Sequence, residues 1–523
     1  NRPFTHWRWF VGSNNDRWAL QEIGTDEFCL PTRGSDWYDG AYYQKVHHHA
    51  YTEDMAFVNN GWYGFSMGVA LAWDALEDLA KIDFDALGFA DGTRESMLNQ
   101  QKVLVASLYL DGLDLFGGVP LYTTTQSDIK GRSTDLETFN FIDSLLTEAI
   151  PELPLKEELG AQETGSINRA AAAALKVRLY FNAKSYIGKD MFAEAAGICK
   201  DIIDGKYGQY ALASDWTNIF GFDNEACPEL IWSIPSQNAK LETDAGYWDW
   251  SVPYNYKNYL GGLEGSGSNN GIGLIPSLDP TGKKYPYKLG GAYGKFHDRD
   301  VRKQPYVYEG SGKYRGMFIV GKLVNPIHPE WTCTGSREYK GEVITVVDQV
   351  AYFAKVGKDA KYPDLESLPS NVGMAEENSC VRLVKFSPRP NQDEMKRKFD
   401  PDVPVIRLAE IYYTLAECKM RAGDKEGAAD LINTVRKRYF EGGNDPDPVT
   451  SANLDKYRML DEWQLEFLGE GRRRTDLVRW DAYVTESWWD HQATNNKNLN
   501  RFPIHYSIIG ANNLIKQNPG YGE

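Results

Sequence analysis

A helical hairpin near the C-terminus constrains this fold more than any other stretch. In VPVIRLAEIYYTLAECKMRAGDKEGAADLINTVRKR, apolar residues Val405, Leu408, Ile411, Tyr412, Leu415 and Ala416 recur at helical spacing. Arg421, Ala422, Gly423 and Asp424 interrupt the pattern, with Asp424 placed to cap a second helix. That helix carries Ala428, Leu431, Ile432 and Val435 on one stripe. A hairpin of roughly 34 residues has the size of a tetratricopeptide unit. Such a unit cannot bury its apolar face alone, so others must stack on it.

The rest of the chain supplies them. WYGFSMGVALAWDALEDLAKI places Trp62, Phe65, Val69, Ala72, Trp73 and Leu76 on one helical side, and residues 94–116 form its partner. Residues 135–150 make a further amphipathic helix, and 167–188 with 190–204 a second pair. Between about 209 and 401 the pattern changes. That stretch is rich in Gly, Tyr, Trp and Pro, with short β-like runs such as ELIWSIP, EVITVV and CVRLVKF. A stretch this long is not one plain loop. The expectation is a mainly α, single-domain chain (1–523): a tetratricopeptide-like helical-repeat scaffold holding an irregular, loop-rich subdomain with short β-strands. Its parts are N-terminal helical pairs at 45–208, the insertion at 209–401, and C-terminal helical pairs with a tail at 402–523.

Composition narrows the function. A net charge of −16 and a pI near 5.1 argue against a nucleic-acid binder, which needs a basic footprint. No apolar run approaches the roughly 20 residues of a membrane helix. Six cysteines show no metal-like spacing, and Cys199 and Cys418 fall within apolar helical stripes. His47, His48 and His49 are adjacent; three such residues splay around a helix and cannot all face one ion. No EF-hand, phosphate loop or hydrolase elbow is present, so neither metal nor cofactor is expected. The unusual quantity is 13% aromatic content, with 15 Trp and 31 Tyr.

LDEWQLEFLGEGRRRTDLVRW closes the scaffold. Glu462, Glu466 and Glu470 are four residues apart, followed by Arg472 to Arg474, Asp476, Arg479 and Trp480. Solvated helix charge and structural ion pairs account for this array better than an anion site. With Arg407, Ala409, Glu410, Ile411, Tyr412, Ala416 and Glu417, then Asn433, Val435, Arg436 and Arg438, and the tail Leu514, Gln517, Asn518, Pro519, Gly520 and Tyr521, it resembles the C-terminal signature of the SusD/RagB family. The resemblance implies a helical body with a loop-built ligand face. It also implies a surface lipoprotein that captures oligosaccharide and acts as a lid on a TonB-dependent, SusC-like outer-membrane barrel. The chain reads as starting inside the family's first helical region, so its N-terminal lipid anchor is inferred.

Ligand residues are sought in the loops. TDEFCLPTRGSDWYDGAYYQ is turn chemistry and resembles the family's segment near the ligand face. Trp37, Trp62, Trp248 and Trp250 are the stacking candidates, because an indole covers the apolar face of a sugar ring. Any large aromatic more often belongs to the core; Trp62, at a helix entrance, is balanced between the two. Arg33, Asp36, Asp39 and Asn60 are candidate partners for hydroxyls. A second run of aromatics, Tyr247 to Tyr259, precedes GGLEGSGSNNGIG, and Trp331 stands in HPEWTC. Peptide capture is the alternative within binding. A surface glycoside hydrolase is the alternative across classes, but no motif selects the two carboxylates it needs.

Overall fold

The computed structural model describes residues 2–12, 17–159, 165–236, 250–254, 269–310, 313–325, 328–334, 337–386 and 401–522. Its main helices are α1 (Arg2–Gly12), α2 (Arg17–Glu22), α3 (Tyr42–His47), α4 (Ala56–Leu79), α5 (Thr93–Phe116), α6 (Asp135–Ala149), α7 (Arg169–Phe181), α8 (Ala183–Ile187), α9 (Phe192–Ile203), α10 (Leu408–Arg421), α11 (Lys425–Arg436), α12 (Lys456–Phe467), α13 (Arg473–Arg479) and α14 (Tyr506–Ala511). The periodic stretches stack as hairpins must: α4 on α5, α5 on α6, α6 on α7, α7 on α9, and α10 on α11. The joint is α9 on α10, which brings residues some two hundred positions apart into one row.

Local chemistry sets the helix ends. Thr134 and Glu137 close a capping box on α6. Asn168 caps α7 by accepting from the Ala171 amide at 3.0 Å. The expected Asp424 cap accepts from the Gly427 amide at 2.9 Å. Ala170 to Ala174 on α7 are all buried, so small side chains line a helix enclosed by its neighbours.

Three local expectations are corrected. Residues 2–12 and 17–22, in a stretch whose mixture of aromatic, polar and turn residues marks no helix, form α1 and α2, whose Trp7, Phe10 and Trp18 enter the core. Val405, counted on the helix, lies on a strand instead. Val403–Arg407 pairs antiparallel with Leu230–Ile234 (Val403 opposite Ile234, Arg407 opposite Leu230), and α10 starts only at Leu408. Pro404 cannot donate to a helical ladder, and the flanking valines and isoleucine suit a strand. Third, α12 ends at Phe467, so Glu470 is not on the helical face of Glu462 and Glu466. It follows a turn at Gly469, which has φ 75°, and precedes Gly471 at φ 72°.

The carboxylates are nonetheless all paired with arginines, Glu466 and Glu470 on a shared Arg407, and none of the three is solvated. Glu466 accepts from Arg407 at 2.6 Å, Arg438 at 2.7 Å and the Tyr439 hydroxyl at 2.7 Å. Arg407 also reaches Glu229 at 3.0 Å and Glu470 at 2.8 Å. Glu462 holds Arg436 at 2.8 Å. Arg473 pairs with Asp26 at 2.7 Å, and Arg479 with Glu417 at 2.9 Å and Asp476 at 2.8 Å. All of these side chains lie below a tenth of full exposure. The strands in 209–401, in two-stranded pairs among the described residues, are tied into this network through Glu229, Arg302 and Lys385.

Candidate functional site

Strand β1 (Phe28–Cys29) pairs antiparallel with Gly273–Leu274 and launches the 30–41 loop. Arg33 and Asp36 exchange backbone hydrogen bonds at 3.0 Å across a tight turn, with Gly34 at φ 63°. A run of left-handed residues follows: Trp37 (φ 62°), Asp39 (φ 41°), Gly40 (φ 64°) and Ala41 (φ 66°). Three of these four carry a Cβ, and left-handed backbone there is held only where surrounding contacts over-determine it.

Those contacts are visible. The Trp37 Nε1–H donates to the Asn269 carbonyl at 2.8 Å. Its ring meets Trp250 at 5.1 Å and Tyr43 at 5.6 Å, and Tyr43 meets Trp250 edge-on at 6.2 Å. All three rings are half-buried, with packed edges and part of each surface in solvent. Gly271 lets the indole lie against the main chain: a Cβ there would sit 2.6 Å from the Trp37 ring. The Tyr42 hydroxyl accepts from the Phe57 amide at 2.9 Å, docking the loop's exit on the first turn of α4.

A polar pair adjoins this platform. The Asp36 carboxylate accepts from the Arg337 guanidinium and the Tyr254 hydroxyl. Arg337 also donates to the Arg33 carbonyl at 3.0 Å. Asp36 and Arg337 keep 36% and 43% of their side-chain surface, so both can meet a ligand. Partial burial alone would raise the Asp36 pKa; the hydrogen bonds from Arg337 and Tyr254 outweigh it and hold the carboxyl below its ordinary range. Burial first, and Asp36 second, push the Tyr254 phenol up, so it stays neutral and donates.

The sequence candidates separate. Trp37, Asp36 and Trp250 come together. Asp39 is exposed on the same loop, and Asn60 is half-buried within α4. Arg33, expected to meet hydroxyls, is 2% exposed and donates to the carbonyls of Glu376 at 2.6 Å and Gly271 at 3.4 Å. It holds the loop from beneath. Trp62 is in the core, edge-on to Phe65 and Phe116, where its indole meets neither Trp37 nor Trp250. It lines a separate cavity of about 410 Å³ with Trp73 and Tyr109. Trp248 lies outside the described residues, as do Tyr247, Tyr256 and Tyr259. Trp331 is 41% exposed and stacks on His328 at 4.2 Å. Asp26 and Glu27, part of the same turn-rich stretch, are buried supports. Sequence reasoning reached Tyr254 only as one member of the Tyr247–Tyr259 aromatic run and missed Arg337 and Tyr43, which stand in stretches too short or irregular for periodicity to mark a facing direction.

The SusD family model matches residues 228–521, more than half of the chain. The chain belongs to the SusD family. Among curated proteins, this SusD-family chain is 26% identical over 445 residues to the starch-binding protein SusD of Bacteroides thetaiotaomicron, covering 83% of the chain and 74% of that protein. It is 22% identical over 429 residues to the SusD-like protein P25 of Formosa agariphila, covering 78% and 65%. Among solved structures, surface glycan-binding protein A from Bacteroides fluxus superposes with a TM-score of 0.69 at 18% identity, over 99% of this chain and 98% of that one. A laminarin-binding SusD-like protein gives 0.61 at 18% identity, over 99% and 97%. At such identities the structural likeness speaks for the fold.

Proposed function

We propose that this SusD-family protein captures an oligosaccharide on the Trp37–Trp250–Tyr43 platform and releases it unaltered. The carrying observation is the platform itself: three half-buried rings, Trp37 held on left-handed backbone and Tyr43 on α3, beside a solvent-facing Asp36–Arg337 pair. Pyranose C–H faces pack on such rings while vicinal hydroxyls meet a carboxylate and a guanidinium. The names of its relatives, which include starch and laminarin binders, support a glycan ligand. Hydrolysis fits the site poorly. A general acid must keep its proton near neutral pH, and Asp36 is held ionised.

In the same proposal the protein sits on the outer face of the outer membrane by an N-terminal lipid. There it closes as a lid over a SusC-like, TonB-dependent barrel. Co-purification of such a barrel with the tagged protein tests the partnership.

Isothermal titration against a panel of starch, laminarin and other oligosaccharides, with peptides alongside, tests the ligand. One glycan class should bind, and Trp37→Ala and Trp250→Ala should each cost more than about 1 kcal/mol, as interface anchors do. Release of shortened glycan would instead show a hydrolase. Binding of peptides alone, or glycan affinity untouched in both variants, would reject the site.

A further inference from the structure

We infer that His47, His48 and Asp490 form a binding site for a divalent transition-metal ion of the zinc class. His47 is the last residue of α3 and His48 its C-cap, while Asp490 lies in the turn bridged by Trp488 and His491. One donor atom from each of the three lies within 4.8 Å of the other two. The His48 Nε2 is 3.3 Å from the Asp490 Oδ2. Ligands roughly 2.0–2.1 Å from a tetrahedral ion stand about 3.3 Å from one another, so this pair is already at ligand spacing.

One further observation points to an ion rather than to a surface hydrogen bond. His47 is 1% exposed; its Nε2 lies 3.2 Å from the Trp489 carbonyl, and its Nδ1 has no hydrogen-bond partner. With Nε2–H given to the carbonyl, Nδ1 keeps its lone pair in a buried place. A histidine oriented through its other ring nitrogen by a backbone carbonyl is the usual arrangement of a metal ligand. Asp490, for its part, has φ 53°, and its carboxylate is fixed by the Val372 amide at 2.8 Å. A His48–Asp490 hydrogen bond alone leaves the buried His47 nitrogen without a partner, while the left-handed backbone of Asp490 belongs to the tight Trp488–His491 turn.

Two imidazoles and one carboxylate suit zinc and its neighbours. Calcium and magnesium prefer all-oxygen shells. Three protein ligands leave a fourth position for water, and His48, the exposed member, opens the site to solvent. His49 takes no part. Its Nδ1 is likewise buried without a partner and its Nε2 meets the Gly24 carbonyl at 2.7 Å, but the donor group within 4.8 Å does not include it, and its ring stacks on Tyr483 at 4.2 Å. The objection that adjacent histidines splay holds for the third residue, while a partner from residue 490 completes the set. A bound ion would fasten the end of α3, whose Tyr43 walls the Trp37 platform, to the 488–491 turn.

The test titrates chelator-stripped protein with zinc chloride by calorimetry and with cobalt(II) by visible absorbance. One equivalent should bind, cobalt should give ligand-field bands, and His48→Ala and Asp490→Asn should each weaken zinc at least tenfold. His328→Ala, at the separate His328–Glu330 pair, should change nothing. His48 is exposed, so an unchanged melting temperature of metal-free His48→Ala confirms that fold is not the cause. Zinc affinity equal in all variants, or no binding to the stripped wild type, overturns the assignment.

Discussion

A methyl group on Gly271 would enter the Trp37 indole, so this glycine sets the platform's geometry without touching a ligand. Gly271→Ala should therefore weaken glycan binding several-fold and shift tryptophan fluorescence, since the ring must move off the main chain. Arg337 acts from the other side. Arg337→Ala removes one hydroxyl-binding group and releases Asp36; it should cost affinity on the order of 1–3 kcal/mol, the worth of a charge-assisted hydrogen bond. Its melting temperature should hardly change, because a pair this exposed contributes little to stability. Titration calorimetry with thermal melting separates the two effects. Equal affinity in Arg337→Ala would remove that arginine from the ligand face. Arg33 and Arg337 show how far residue type alone reaches: both sit beside turns, and only the packing of Glu376 and Gly271 over Arg33 makes one structural.

At the level of elements, the strongest prediction concerns α12. Glu466 faces Arg407, Arg438 and Tyr439 in a buried setting. Glu466→Ala leaves two guanidiniums short of a counter-charge, so it should destabilise the fold by about 3–5 kcal/mol. Glu466→Gln keeps the shape and some hydrogen bonds and should cost less. Chemical denaturation of both variants checks the order; equal, negligible losses would contradict the network's role. Helix pairs were legible because their apolar residues recur at 3.6. That signal fails at Val405, a half-buried strand residue beside Pro404 that falls on the helical spacing of the helix after it, and where Trp, His and Arg dilute it, as in α1 and α2. It fails wholly in 209–401. There the described backbone follows turns, short helices and strands of two to five residues, so the contacts that bring Tyr254 and Arg337 to Asp36 come only from tertiary structure. The motif at 460–480 announced its charges but not their burial. Acids and arginines four apart look alike in sequence whether solvated or enclosed.

Across the whole molecule, the buried carboxylates predict a stability maximum in mildly acidic solution. Burial would raise the pKa of Glu466 and Asp476, but the arginines around them outweigh it and lower each to about 2. A depressed folded-state pKa gives stability that is complete above the ordinary carboxylate value and is lost as pH falls toward about 2. Asp348 and Asp402 have the opposite sign. Burial raises each to about 6. Their contribution is complete below the unfolded value and is lost as pH climbs through about 6. Each shift of roughly two units corresponds to about 3 kcal/mol, so neither set swamps the other. The charge of −16 at pH 7 adds self-repulsion on the alkaline side. Scanning calorimetry from pH 2 to 8 should therefore show a melting temperature highest near pH 4, falling toward pH 2 on one side and between about pH 4 and 6 on the other. Asp402→Asn should flatten the alkaline flank and Glu466→Gln the acid one. A melting temperature that climbs steadily to pH 8 would mean that the raised carboxyls do not govern the fold's balance of charge.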